Sequence, residues 1–414
     1  MAIFYVVLYA IVNMFFYFTY LKKTKFDFSP GFIVVGFYTI VAVLGIPAYN
    51  MLPKDDFFYR YDFTNVTFLP YVLLFVATYF LWKPIFGFKE KIIKTPLNIS
   101  LKKVEWLSYL YIALAFFSIF LYYRLIRSMS IEDMAMIRVD VYQGEQQLAY
   151  GNLFERAALS FTSRLNTLMT VVFFLLLAKY RDYFSKAFFI LLGIAIILPI
   201  IGDAARTVSR GVVISLIIQL ALGFSFFAQF YTKKIKKLLF LCAIFVLIGI
   251  LIYSLIVTEA RFGDGDTGFS SLICYWGQPP IVFNSQVMEV TDFGWGRRLF
   301  LPIADYLGFA PKTFLAEQGR AYNPCFITNI GGMYLDFSLL GVCLLVILIP
   351  YLINKFLRNQ KTINMGTLYL MMFYCLYVQH GALVTKSGYI EDILIALILY
   401  FIFKKITESK RMKQ

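Results

Sequence analysis

Two arginines and an aspartate lie in a short break between two long apolar runs. The decapeptide Gly202–Gly211 reads GDAARTVSRG and separates AFFILLGIAIILPII from VVISLIIQLALGFSFFAQFY. Charged side chains so close to hydrocarbon are costly and are therefore candidates for function. Arg206 and Arg210 are four residues apart, so an early helix start would place both guanidinium groups on one face. Such a pair can bind an anion through two-pronged hydrogen bonds, although both arginines could instead only snorkel to the membrane interface.

The composition around this decapeptide indicates the class of protein. Of the 414 residues, 60% are hydrophobic and 15% are charged, whereas soluble domains carry about 25% charged residues. Runs of nearly twenty apolar residues recur, and each can cross a hydrocarbon core as a helix. The alternation typical of a transmembrane barrel is absent. We therefore predict an all-α, polytopic integral membrane protein that forms one transmembrane domain over residues 1–414.

Eleven segments are predicted to span the membrane. The first is interpreted as a retained span rather than a signal peptide, because no basic residue precedes it and no cleavage site follows it. The predicted spans lie near residues 2–21, 31–50, 67–84, 106–124, 165–180, 187–202, 211–231, 238–257, 333–353, 364–380 and 391–404.

Charges in the connecting loops predict the orientation. One set of alternate loops holds 24 Lys and Arg against five Asp and Glu, whereas the other set holds 15 against 19. The positive-inside rule places the first set in the cytoplasm, so the N-terminus is expected outside and the C-terminus inside. This bias accounts for the net charge of +15 without a nucleic-acid partner.

The two sides also differ in the type of cation. The predicted cytoplasmic loops contain 21 Lys and three Arg, whereas the outer loops contain 12 Arg and three Lys. Arginine binds phosphate and carboxylate with a planar fork, and lysine does so only as a point charge. We infer an outer face that recognises an anion; the alternative is that these arginines form structural salt bridges with outer acidic residues.

Two outer loops are long, over residues 125–163 and 258–332. The second is expected to form short helices on the outer membrane surface, and its aromatic side chains suit either sugar rings or interfacial anchoring. Cys274 and Cys325 both fall in this loop and could form a disulfide there, which the sequence leaves open. Its arginines are Arg261, Arg297, Arg298 and Arg320.

No cofactor motif is present. The chain lacks a glycine-rich loop followed by Lys-Ser or Lys-Thr, and its single histidine, His380, excludes a His-rich zinc site. Asp264–Asp266 reads DGD, which more often makes a tight turn than a metal site. We therefore expect no metal, nucleotide or other cofactor.

Three stretches carry a family resemblance: TVSRGVVISLI, NPCFITNIGGMYLDFSLLG and the early YLKKTKFDFSPG. Together with the layout of spans and one large outer loop, they make the chain resemble the Wzy-type O-antigen and oligosaccharide repeat-unit polymerases over nearly its whole length. The Phe337-Ser338 step departs from the Phe-Gly that is more usual in that family.

The resemblance implies a reaction and a location. A growing glycan on undecaprenyl diphosphate would be transferred to a new lipid-linked repeat unit, on the outer face of the bacterial inner membrane. It also implies a fold like that of the GT-C membrane glycosyltransferases, with a large periplasmic loop. The expected partners are the lipid-linked oligosaccharide and membrane lipids; whether a chain-length regulator also binds stays open.

The resemblance gives the charged residues roles. Arg210 would contact the diphosphate with Arg206 as a helper, because fixed guanidinium groups stabilise charge that develops on the leaving group. His380 is a candidate base or phosphate ligand, and Asp336 is either an acceptor base or the partner of an outer arginine. The remaining candidates for binding substrate are Arg261, Arg297, Arg298, Arg320, Tyr322, Tyr334 and Lys386.

Two other functions share part of this pattern. An O-antigen-ligase-type glycosyltransferase would use the same donor with a different acceptor. A flippase or transporter of lipid-linked oligosaccharide would place charges deep in the bundle and have short outer loops, whereas the charges here cluster at predicted outer ends of spans.

Overall fold

The described part of the chain folds into helices. A computed structural model describes residues 2–51, 65–127, 153–206, 210–239, 241, 248–249, 267–296, 326–358, 360–384 and 389–407. The helices are α1 (Ala2–Lys23), α2 (Pro30–Met51), α3 (Phe68–Phe86), α4 (Phe88–Lys94), α5 (Leu101–Ile126), α6 (Leu153–Lys179), α7 (Lys186–Arg206), α8 (Arg210–Phe227), α9 (Thr267–Ser285), α10 (Thr328–Arg358), α11 (Met365–His380) and α12 (Tyr389–Thr407). Over these ranges no β-strand forms, and the one isolated bridge pairs Leu97 with Ile363.

Eight of the described helices are long and apolar enough to cross a membrane: α1, α2, α3 together with α4, α5, α6, α7, α8 and α10. The prediction of an all-helical, polytopic membrane protein is therefore confirmed. The predicted span 238–257 lies mostly outside the described residues. Helix α11 has 16 residues, or about 24 Å of helix, and α12 carries charges at both ends. Eleven spans therefore stay a prediction.

The described helices divide between two compact units. Unit 1 comprises Met1–Lys91, Phe269–Lys361 and Phe373–Phe401, and unit 2 comprises Ile92–Gly268, Thr362–Met372 and Ile402–Gln414. The prediction of one transmembrane domain over 1–414 stays a prediction.

Unit 1 is built on aromatic packing and close helix contacts. The ring of Phe16 on α1 stacks on that of Trp82 on α3, with ring centres 5.4 Å apart. Helix α9 approaches α2 so closely that a Cβ atom at Gly277 would lie 2.6 Å from Cβ of Ala48. A residue without a side chain lets two backbones approach in this way, as is common between membrane helices.

A buried polar network ties together four helices of unit 2. Pro199 in α7 has no N–H to donate to the carbonyl oxygen of Ala195, four residues earlier. The Tyr111 hydroxyl on α5 donates to that oxygen instead, at 2.9 Å. Asn166 on α6 donates to the Tyr111 oxygen at 2.6 Å and accepts from Gln219 on α8 at 2.6 Å. Each group thus has a partner, as burial in an apolar bundle requires.

Helices extend into the two long loops that were predicted to lie outside. Helix α5 continues to Ile126 and α6 begins at Leu153, so helices cover both ends of the predicted loop 125–163. Arg124 and Glu155 join these two helices through a 2.8 Å ion pair, which is one structural salt bridge of the kind weighed above for the arginines.

The expectation of short surface helices within 258–332 is wrong for residues 267–285. They form the single helix α9, and Cys274, Gln278 and Ile281 are completely buried in unit 1. The close contact at Gly277 allows this burial, which a local count of polar residues does not reveal. Cys325 lies outside the described residues, so its pairing with Cys274 stays a prediction.

Candidate functional site

Helix α10 breaks within NPCFITNIGGMYLDFSLLG, the motif nearest the C-terminus among the three that suggested a family resemblance. Phe337 has φ −138° and ψ 16°, and Ser338 has φ 58° and ψ −166°. All residues from Phe326 to Asp336 are buried. Beyond the break, the helix exposes an apolar side, with Leu340 70% accessible. The second segment, with about 20 residues and a length of about 30 Å, can cross a membrane alone; the first segment is enclosed by protein.

A short loop closes over this break. The N–H groups of Gly294 and Trp295 donate to the carbonyl oxygens of Leu335 and Asp336, each at 2.8 Å. Trp295 and Gly296 adopt positive φ angles of 50° and 86°, so the chain turns at the second of these two donors. The loop thereby satisfies backbone oxygens that lose their helical donors.

The start of α10 is joined to the end of α11. The Asn329 N–H donates to the carbonyl oxygen of Gly381 at 2.9 Å, and the Asn329 side chain donates to the Tyr377 carbonyl at 3.3 Å. The turn after α11 is closed by the N–H groups of Leu383 and Val384, which both donate to the His380 carbonyl at 3.1 Å. These bonds fix the backbone on which the His380 side chain is carried.

Three of the predicted site residues lie in the described part of unit 1. His380 is the last residue of α11 and is partly accessible. Tyr334 is mostly buried, with its hydroxyl 3.5 Å from the Met288 carbonyl, which is long for a hydrogen bond. Asp336 is completely buried. Its burial favours a positioning role for the carboxylate over proton transfer from an acceptor that arrives from solvent.

Three polar groups that the predicted site did not include lie in this part of unit 1. The Tyr377 hydroxyl, Gln379 Oε1 and Glu391 Oε2 are buried and have no hydrogen-bond partner in the part of the chain described. Tyr377 also interacts electrostatically with Asp392 at the start of α12. Buried polar atoms normally have partners, so these are places for water or for a hydroxyl-rich ligand. The sequence signal was the polar pair Gln379-His380 at the end of an apolar run.

The decapeptide lies in unit 2, where it contains the end of one helix and the start of the next. Helix α7 ends at Arg206 and α8 begins at Arg210. Residues 207–209 and the Arg210 side chain lie outside the described residues, so a shared face for the two arginines stays a prediction.

Arg206 is held inside unit 2. Its side chain is 4% accessible, and Nη2 donates to Asp203 Oδ1 at 2.8 Å. The guanidinium carbon lies 5.9 Å from the centre of the Tyr122 ring, within the range of a cation–π contact. The ion pair gives Arg206 a structural partner within its own helix α7, as in the salt-bridge alternative.

The structure does not describe the side chains of the other predicted site residues. They lie outside the described residues, as does the DGD turn at 264–266, and only the backbone of Arg210 is described. These predicted positions are Arg261, Arg297, Arg298, Arg320, Tyr322 and Lys386. Across the described ranges, no group of three or more His, Cys, Asp or Glu could hold a metal ion.

Comparison with known proteins adds no assignment. No protein-family model, no curated protein and no solved structure matches the chain.

Proposed function

We propose that the chain is a polysaccharide polymerase of the membrane glycosyltransferase class. It transfers the growing glycan from undecaprenyl diphosphate to a new lipid-linked repeat unit, at the outer face of the bacterial inner membrane. The proposal includes eleven spans, an outer N-terminus, a cytoplasmic C-terminus and a GT-C-like arrangement of helices.

The observation that carries the proposal is the junction between Asn329 and Gly381. It brings the late motif, which supplied part of the family resemblance, to the turn that carries the only histidine of the chain. The buried polar atoms of Tyr377 and Gln379 lie at the end of α11, and that of Glu391 lies at the start of α12. Hydroxyl groups of a sugar can donate and accept hydrogen bonds, so they suit this mixture of donors and acceptors.

The chemistry assigns one event to each type of residue. The acceptor hydroxyl oxygen forms a bond to the anomeric carbon of the donor, while the bond from that carbon to the diphosphate oxygen breaks. The electron pair of the broken bond leaves with the diphosphate, whose charge Arg210 stabilises. The proton of the acceptor hydroxyl passes to His380. A positioned general base of this kind increases the reaction rate by about 10²–10⁴-fold.

In this proposal Arg206, Asp336 and Tyr334 are positioning residues. Arg206 is already bonded to Asp203 and orders the end of α7, which precedes Arg210. Tyr334 and Asp336 lie in the enclosed first segment of α10 and support the loop that closes the break. Arg261, Arg297, Arg298, Arg320, Tyr322 and Lys386 are proposed to bind the two lipid diphosphates and their sugars.

The test uses purified full-length protein and a lipid-diphosphate-linked repeat unit, without added metal or nucleotide. We expect a ladder of longer glycans from the wild type, loss of the ladder in Arg210→Lys and Arg210→Ala, and a decrease of about 10²–10⁴-fold in His380→Gln. Arg124→Lys is the matched control, because Arg124 is an exposed predicted outer arginine paired with Glu155.

Three results would contradict the proposal. An unchanged ladder in both Arg210 variants would remove the diphosphate role of Arg210. Transfer only to a lipid A core acceptor would indicate the ligase-type enzyme. Movement of the lipid across liposomes without any ladder would indicate a transporter.

A further inference from the structure

A cavity opens in unit 2 where the α4–α5 connection meets the end of α6. Its volume is about 460 Å³, which lies within the usual range for a small-ligand site. It is lined by Ile93, Lys94, Thr95, Pro96, Leu97, Lys179 and Tyr180. This cavity contains none of the residues used in the proposed function.

The walls of this cavity are fixed by bonds to neighbouring segments. The N–H of Ile363 donates to the Pro96 carbonyl, and the N–H of Asn98 donates to the Ile363 carbonyl, both at 2.8 Å. The Lys179 ammonium lies 4.2 Å from the centre of the Phe230 ring, a cation–π contact that restrains a flexible side chain. The cavity is therefore a feature of the packed unit and not of a free loop.

The lining has one sign of charge. Lys94 and Lys179 are cationic, Thr95 and Tyr180 carry hydroxyl groups, and no lining residue is acidic. Lysine is a strongly hydrated point charge that binds phosphate without a demand for planar geometry. An anion with oxygen acceptors matches these groups, whereas a cation or an apolar molecule does not.

The position of the cavity narrows the choice of anion. Candidate membrane spans end at Lys94 and at Lys179, so the cavity lies where helices leave the hydrocarbon and headgroups are found. The apolar side chains of Ile93 and Leu97 stand beside the lysines and can contact the glycerol and first methylene groups of a lipid. The charge distribution predicts this end to be cytoplasmic, where anionic lipids attract basic residues.

We propose that this cavity binds the phosphate headgroup of an anionic phospholipid. The phosphate lies between the ammonium groups of Lys94 and Lys179 and accepts hydrogen bonds from the hydroxyls of Thr95 and Tyr180. The acyl chains extend into the bilayer past Ile93 and Leu97. Bound lipid stabilises the packing of the end of α6 against the α4–α5 connection, because the lipid binds only to the folded unit.

The experiment measures lipid retention by native mass spectrometry of the full-length protein in detergent, with phosphatidylglycerol as the probe. We expect the wild type to retain one phosphatidylglycerol molecule. The double variant Lys94→Ala/Lys179→Ala should bind this lipid at least roughly tenfold more weakly. The matched control is Lys233→Ala/Lys234→Ala, which removes two exposed lysines outside the cavity and should bind as wild type does.

Two further arms separate the source of the phosphate. Phosphatidylcholine should be retained more weakly than phosphatidylglycerol, and inorganic phosphate at millimolar concentration should not displace the lipid. Equal loss in both double variants, equal retention of the two lipids, or complete displacement by inorganic phosphate would each overturn the proposal. Unfolding temperatures of the variants without lipid should match that of the wild type, so that weaker binding reports on the cavity.

Discussion

The backbone N–H of Trp295 donates to the carbonyl oxygen of Asp336 at 2.8 Å. In an unbroken helix that oxygen would accept from the residue four positions later, but the torsion angles of Phe337 and Ser338 interrupt the helix. The loop around Trp295 thus replaces donors that the break removes. The loop and the break depend on each other. Together they fix the position of the first segment of α10 relative to the apolar segment that follows the break.

Ser338 should be replaceable by glycine with a gain in stability. Its φ of 58° and ψ of −166° lie in a region that is essentially restricted to glycine and that costs other residues about 1–3 kcal/mol. We expect Ser338→Gly to raise the free energy of unfolding by about 1 kcal/mol, because the strain exceeds the entropy that glycine adds to the unfolded chain. Thermal unfolding in detergent would measure this.

Two comparisons make this prediction specific. Ser338→Val should lower the unfolding temperature, because a β-branched residue tolerates positive φ poorly. Ser215→Gly, within the regular helix α8, should also lower the unfolding temperature, because glycine is less favourable than serine in a helix by a fraction of about 1 kcal/mol. A destabilised Ser338→Gly protein would show that the break does not have this backbone geometry.

Gly277→Ala should separate α9 from α2. The new Cβ atom would lie 2.6 Å from Cβ of Ala48, so the helices must move apart, at a cost of about 1–3 kcal/mol. The control is Gly193→Ala on α7, where the nearest atom, Cε2 of Phe173, would lie at an ordinary 3.7 Å. We expect a lower unfolding temperature for the first variant only; the same temperature for both would argue against the close contact of α9 and α2.

The junction between Asn329 and Gly381 can be tested by a double-mutant cycle. A Cβ atom at Gly381 would lie 2.6 Å from Cγ of Asn329, so Gly381→Ala should destabilise the protein by about 1–3 kcal/mol and displace the His380 turn. Asn329→Ala removes Cγ and should restore part of that loss in the double variant. Activity and unfolding temperature should recover together; strictly additive effects would indicate that the two residues are not in contact.

The Tyr111–Ala195 hydrogen bond should depend on Pro199. Tyr111→Phe removes the hydroxyl that donates to the Ala195 carbonyl and should lower the free energy of unfolding by about 1–3 kcal/mol. In a Pro199→Ala background, the restored N–H can bond that carbonyl within the helix, so the same change should have a smaller effect. An equal loss of stability in both backgrounds, measured by thermal unfolding, would contradict this account of the network.

Asp203→Asn distinguishes a structural role of Arg206 from a role in the reaction. The Arg206 side chain is buried, whereas that of Asp203 is 33% accessible, so loss of the ion pair should destabilise unit 2 by about 1–2 kcal/mol, less than for a fully buried pair. Glycan transfer at a temperature well below unfolding should change little, unlike in Arg210→Lys. A large loss of transfer at full stability would instead indicate that Asp203 and Arg206 act on the substrate.

Composition and apolar run length determined the class of the fold by themselves. Hydrocarbon leaves backbone groups no partner but one another, so a run such as Lys186–Arg206 can only be a helix. The same reasoning placed His380 at a helix end, because the apolar run stops there. These are local properties, and they do not require knowledge of what packs against each helix.

Only the tertiary structure decided which side chains are buried and which helix ends meet. Arg206 and Arg210 look equivalent in the sequence, but α7 ends at Arg206 and α8 begins at Arg210, and Arg206 forms an ion pair with Asp203 in its own helix. The burial of α9 depends on the fit of Gly277 to α2, and the break at Ser338 depends on donors from the loop at Trp295. Such contacts join residues distant in the chain, so no local pattern of residue types encodes them.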